Sequence, residues 1–282
     1  MQQLARQPDS ASWHGRLNLT YEKTAHQTQI QSSYHQAPLN LQRPFYPEGP
    51  VCHSVMMHTA GGMVGGDRLS IHVDLQPQSH ALLTTTSAGK VYRSNGYAAQ
   101  QTIHCELAAN AVLEWLPLET IVFDQAQFRQ SFRVDLGPDA IYCGWEMTRF
   151  GRSARGEQFT QGDWRSQTEI WQQGTPLWID RQWLPGQPEI WYSPHGLAGQ
   201  PVVGSFLWVG QAVEPKTIQA ARELWQPTDA AEGGITRLPL GLICRYRGPS
   251  SQAARQWFIQ VWNLLRSTHL GRPACPPRVW PL

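Results

Sequence analysis

The sequence predicts an all-β protein with about two α-helices, one of them near the C-terminus. Three observations carry that reading. Apolar and polar residues alternate with a period of two from Arg16 to about Gly210, the pattern of strands with one buried face. The chain's 24 Gly and 21 Pro cut the alternation into short pieces. Helical periodicity is confined to two stretches beyond Glu214.

The cleanest strand is Leu69 to Leu75, where Leu69, Ile71, Val73 and Leu75 share one face and Ser70, His72 and Asp74 the other. Pro77 ends it, having no N–H for a ladder. Arg16–Tyr21, Val51–His58, His80–Thr86, Gln100–Glu106, Ala111–Trp115 and Ser131–Leu136 read the same way. The first helix is predicted over Pro215–Trp225, with Pro in the first turn, where a missing N–H costs nothing. The second spans Gln252–Ser267. There Ala254, Trp257, Phe258, Val261, Leu264 and Leu265 form an apolar stripe, and Gly271 and Pro273 follow as stop signals. That stripe either seals the core or docks a partner. No βα alternation is visible, so a sandwich, barrel or solenoid stays open. There is no fixed repeat period and no Pro/Ser linker, so residues 1–282 read as one domain.

Of the 282 residues, 41% are apolar and 16% charged, which excludes disorder. The net charge is +2 with the basic residues scattered, so no nucleic-acid footprint exists. The N-terminus lacks an apolar stretch of signal-peptide length, and no run of about 18 apolar residues could span a membrane. Cys52, Cys105, Cys143, Cys244 and Cys275 are odd in number and form no CxxC, so free thiols in the cytoplasm are expected.

Local spacing yields no enzyme motif. Gly61–Gly66 lacks the Lys and Ser/Thr of a P-loop, and Asp67 and a strand follow instead of a helix. His53 and His58 face opposite ways on their strand, and no HxH or HExxH occurs, so no tight metal cage is spelled out locally. Gly151–Gly156 misses a GxSxG elbow by one residue. Two rival functions follow from residue types alone. Glu114, Glu119 and Asp124 could serve a carboxylate-based hydrolase or metalloenzyme. Trp164, Trp171 and Trp178 could serve a carbohydrate-binding module, although odd spacing reverses the face at each step.

Five segments taken in order carry a resemblance: GGMVGGDRL at 61–69, TTTSAGKVYRS at 84–94, LEWLPLETIVF at 113–123, GRSARGEQF at 151–159 and PPRVW at 276–280. Together they resemble the UreD/UreH family of urease accessory proteins over nearly the whole chain. Leu118 and Ser87-Ala88-Gly89 depart from the family pattern. The matching positions are Gly61, Gly62, Gly65, Gly66, Lys90, Tyr92, Arg93, Pro117, Gly151, Arg152, Gly156 and Glu157.

The resemblance implies a non-enzymatic scaffold with a solenoid-like, β-rich fold. It implies binding to UreF and, through it, to the GTPase UreG, the complex docking on apo-urease. Nickel is then a transient cargo, with no tightly bound cofactor, and the UreD member provides a passage for the ion. A passage needs weak, scattered ligands, because a closed His/Cys cage would trap the metal. Asp67 and Glu119 are the expected passage-lining acids, and Trp257 and Val261 the expected UreF contacts.

Overall fold

A computed structural model describes residues 12–228 and 230–280. In chain order the strands are β1 (His14–Lys23), β2 (Thr28–Gln36), β3 (Leu39–Leu41), β4 (Cys52–His58), β5 (Arg68–Leu75) and β6 (His80–Thr85). Then come β7 (Gly89–Val91), β8 (Ala99–Leu107), β9 (Val112–Trp115), β10 (Thr120–Val122), β11 (Gln127–Leu136) and β12 (Ile141–Phe150). The last are β13 (Asp163–Gln172), β14 (Thr175–Pro185), β15 (Val202–Val209), β16 (Glu232–Leu238) and β17 (Gly241–Gly248). Among the described residues three α-helices are present, α1 (Pro188–Tyr192), α2 (Pro215–Glu223) and α3 (Ser251–His269). The latter two match the periodic stretches of the sequence, while α1 is a single short turn of helix.

The strands form two sheets, one of seven strands ordered β14-β13-β11-β8-β5-β1-β2 and one of ten. From β4 to β13 the long strands alternate between the sheets, and β5, β8, β11 and β13 pair in parallel in the first. In the second, β4, β6, β9 and β12 do the same. Successive coils of a solenoid give this arrangement, each adding one strand to each sheet. Coil length varies: Arg68 pairs with Gln100, Gln100 with Arg129 and Arg129 with Arg165, steps of 32, 29 and 36 residues. Unequal coils explain why no repeat period shows in the sequence.

Burial follows the layers. In the first sheet only one face is covered, so β5 reads as a strict alternation of buried and part-exposed residues. The second sheet is covered on both faces, so β12 and β15 carry long buried runs. Leu17, Val73, Cys105, Phe132 and Tyr142 belong to the core between the sheets. Trp145, Trp208, Phe258 and Trp262 belong to a second core on the other side of the ten-stranded sheet.

Helix α3 closes that second core. The Ser250 side chain accepts a hydrogen bond from the Ala253 amide at 3.1 Å, an N-cap that starts the helix. Its apolar stripe then packs on β12, β15 and β17. The expectation that Trp257 and Val261 contact UreF is corrected here. Both are core, at 4% and 0% exposure, in one cluster with Trp145, Phe206 and Cys244. Trp164 is likewise core, while Trp171 and Trp178 are half-buried on separate faces, so no aromatic platform forms.

Candidate functional site

Between the two sheets the packing is not apolar throughout. A cavity of about 180 Å³ extends inward from exposed Gly61, Ser87 and Lys90. Met57, His58 and Met63 line it near that end, and Gln130 and Glu146 line its interior. Glu146 stands on β12 with its side chain on the face opposite Trp145, so it enters the space between the sheets. Gln130 Nε2 donates to Glu146 Oε1 at 2.5 Å, and Thr168 Oγ1 donates to Oε2 at 2.8 Å.

Burial pushes the Glu146 carboxyl up to about 7, with the Asp180 charge adding to the rise. Its two hydrogen bonds and Arg245 pull the other way without prevailing. Glu146 also lines a second, smaller cavity of about 10 Å³ together with Thr168, Asp180 and Ser205. Arg245 lies at this end, with Nη2 at 2.8 Å from Asp180 Oδ2 and Nη1 donating to Ser205 Oγ at 2.8 Å. One carboxylate thus lines two neighbouring cavities between the sheets, the larger of them walled mainly by apolar side chains. Burial lowers the His58 imidazole, which favours its neutral, ligating form.

A family model described as UreD urease accessory protein matches residues 14–281. The chain is 84% identical to the urease accessory protein UreD of Acaryochloris marina, over the full length of both. Identity to the UreD protein of a Nostoc strain is 58%, over 95% of this chain and 96% of that one. For the Azoarcus UreD protein it is 42%, over 95% and 94%. The chain belongs to the UreD family of urease accessory proteins.

The UreD motif residues assemble one end of the cavity. Backbone bonds join Met63 to the second segment, Met63 N–H donating to Lys90 O and Tyr92 N–H to Met63 O, both at 2.8 Å. The glycines of the first segment are there for close approach. A Cβ on Gly62 would lie 2.6 Å from the Tyr92 ring, and one on Gly65 would lie 2.5 Å from Tyr97 O. Gly61 O accepts from the Tyr92 hydroxyl at 3.2 Å, and Gly66 N–H donates to Ala98 O at 3.2 Å. Arg93 is exposed. Strand β10 of the third segment pairs with β7 of the second. Pro117 O accepts from Trp145 Nε1 at 2.7 Å.

In the fourth segment Gly151 N–H donates to Val122 O, and Arg152 pairs with Glu157 and stacks 4.7 Å over Phe123. Glu157 Oε1 also accepts from the Asp124 amide at 3.0 Å. Gly156 completes this loop with a left-handed φ of 67°. The fifth segment ends on Trp280, whose Nε1 donates to Thr84 Oγ1 at 2.8 Å.

The two acids expected to line the passage stand elsewhere. Asp67 accepts from the Trp13 amide at 3.0 Å and the Val64 amide at 2.9 Å, closing the glycine turn. Glu119 Oε1 accepts from Ser251 Oγ at 2.9 Å and ties the third segment to the start of α3. Neither is among the residues lining the cavity, although Met63, Pro117, Leu118 and Thr120 beside them are. Glu146 was not singled out from the sequence, because in CGWEMTRF it reads as one polar residue in an apolar strand. Its signal is that lone acid on a strand otherwise buried on both faces.

Glu114, a fully buried acid, faces α3. His80 Nε2 lies 2.8 Å from Glu114 Oε1, and Arg266 Nε lies 2.9 Å from the same oxygen. Arg266 Nη2 also meets Glu48 Oε1 at 2.7 Å, and His53 Nε2 meets that oxygen at 2.8 Å. Burial alone would raise both carboxyls, but these cations and hydrogen bonds prevail, holding Glu114 below the usual range and Glu48 at about 2. Glu48, His53 and Cys275 approach metal-ligand spacing, yet Arg266 and Arg272 already address the Glu48 oxygens. This is an ion-pair network, not a catalytic acid pair. All five cysteines are free thiols, and among the described residues no helix is long and apolar enough to cross a membrane.

Proposed function

We propose that this chain is the cytoplasmic, non-catalytic scaffold through which nickel reaches apo-urease, acting with UreF and the GTPase UreG. The inter-sheet space is the path of the ion and Glu146 its central transient ligand. The observation that carries this reading is that one half-buried carboxylate, which accepts only from an amide and a hydroxyl, lines two neighbouring cavities between the sheets. His58 and the Met57 and Met63 thioethers supply weak, mixed ligands at the outer end. Glu146, backed by Asp180, supplies hard oxygen ligands farther in. No single position offers a closed set, so the ion is held loosely enough to leave. Asp67 and Glu119 then act by holding the walls. Nucleotide hydrolysis belongs to the partner.

The test is activation in a cell lacking this gene but carrying urease and the other accessory genes, with excess nickel. Urease activity and the nickel bound to purified urease are expected to stay near zero until the chain is restored. Full nickel loading without it would overturn the proposal.

A further inference from the structure

The outer face of the seven-stranded sheet carries a feature that the interior path does not use. His72 on β5 and His104 on β8 are register partners on adjacent parallel strands, with ring centroids 5.4 Å apart. Glu106 follows two residues after His104 on the same face. One ligating atom from each of His72, His104 and Glu106 lies within 4.8 Å of the others.

The decisive detail is how His104 is held. Its Nε2 lies 2.7 Å from Asp135 Oδ2, which fixes the ring with Nδ1 turned toward Glu106. Nδ1 is then 3.7 Å from Glu106 Oε1, too long for a hydrogen bond but suited to two ligands that share one ion. Asp135 is itself fixed, accepting from Arg133 Nε and Nη2 at 2.7 Å each. The Arg133 guanidinium stacks 5.2 Å over Trp171 and lies 3.8 Å from Glu169, so its charge is answered on its own side.

We infer that His72, His104 and Glu106 form a surface site for a divalent transition-metal ion, with Asp135 as the positioning residue. Two imidazoles and a carboxylate suit nickel, copper or zinc rather than magnesium or calcium. His104 and Glu106 are 35% and 54% exposed, so water completes the coordination and the ion exchanges readily. This site lies on the opposite side of the sheet from Glu146 and does not rest on the passage reading.

Titration of the purified, tag-free full chain with Ni²⁺ alone, followed by calorimetry, tests it. One binding event is expected to weaken about tenfold or more in His104→Ala and to disappear in the His72→Ala/His104→Ala double variant. Asp135→Ala is expected to weaken it about 10–100-fold with the ligands intact. With Cu²⁺ as probe, the electron paramagnetic resonance spectrum is expected to show coupling to two nitrogens in the wild type and to one in His104→Ala. Far-UV circular dichroism checks that each variant is folded, and single Gln replacements at the two histidines substitute for any that is not. The control Ser250→Ala, in the α3 cap, is expected to leave this event unchanged. An unaltered isotherm and nitrogen coupling in the double variant, or no nickel binding by the wild type, would overturn the inference.

Discussion

Glu114, fully buried, and Glu146, half-buried, are glutamates of the same ten-stranded sheet, yet they face opposite ways and meet opposite surroundings. Glu114 faces α3, where Arg266 and His80 converge on one of its oxygens and keep it ionised. Glu146 faces the seven-stranded sheet, where it finds an amide and a hydroxyl but no cation, and its carboxyl is pushed up to about 7. The first carboxylate is committed to holding the fold. The second has no cation in contact, and burial outweighs its two hydrogen bonds in disfavouring the anion. The difference lies in what the facing layer supplies, not in the strand that carries the acid.

Breaking the paired side gives the largest effect. Arg266→Ala leaves Glu114 and Glu48 buried without their shared cation, and is expected to cost about 3–5 kcal/mol in urea unfolding. A loss below about 1 kcal/mol would mean that the network is not structural. Trp257→Ala is expected to cost about 3–5 kcal/mol by opening a cavity in the helix-side core. A stable Trp257→Ala chain that specifically loses UreF on co-purification would restore the partner-contact reading.

The two acids also separate by pH. Glu48, held at about 2 against an ordinary 4.5, adds stability that is present above pH 4.5 and lost as pH falls towards 2. Glu146 works in the reverse sense. The folded state holds its proton more tightly than the unfolded one, so stability falls as pH rises from 4.5 to about 7. Glu146→Gln is therefore expected to gain on the wild type across that window, by at most about 3 kcal/mol above pH 7. A pH-independent difference would show that Glu146 is already ionised in the folded protein. The smallest expected effect is Ser250→Ala, about 1 kcal/mol from loss of the α3 cap, and it is expected to leave nickel delivery unchanged.

Much of this was legible from residue pattern. Leu69–Leu75 alternates because its sheet has one covered face, and Ala254 to Leu265 repeats at helical spacing because α3 covers a flat sheet. The parallel pairing was not legible, since coils of 32, 29 and 36 residues leave no period to detect. Three of the five family segments, 61–69, 84–94 and 113–123, contribute residues to one end of the cavity. The acids of those segments, Asp67 and Glu119, spend oxygens on backbone amides and on Ser251. Glu146 lies outside those segments, and only the pairing of β12 against the facing sheet brings it to Gln130 and Thr168. The outer-face pair His72 and His104 is 32 positions apart in sequence and adjacent only through strand register.

The central claim is that the unpaired glutamate carries the ion while the paired one carries the fold. It is tested most directly by the nickel content of urease purified from cells in which Glu146→Gln replaces the wild-type chain. Soluble level and co-purification with UreF are measured alongside. A chain that folds and associates normally but leaves urease poor in nickel is the predicted result. Urease loaded to the wild-type level by Glu146→Gln would contradict it.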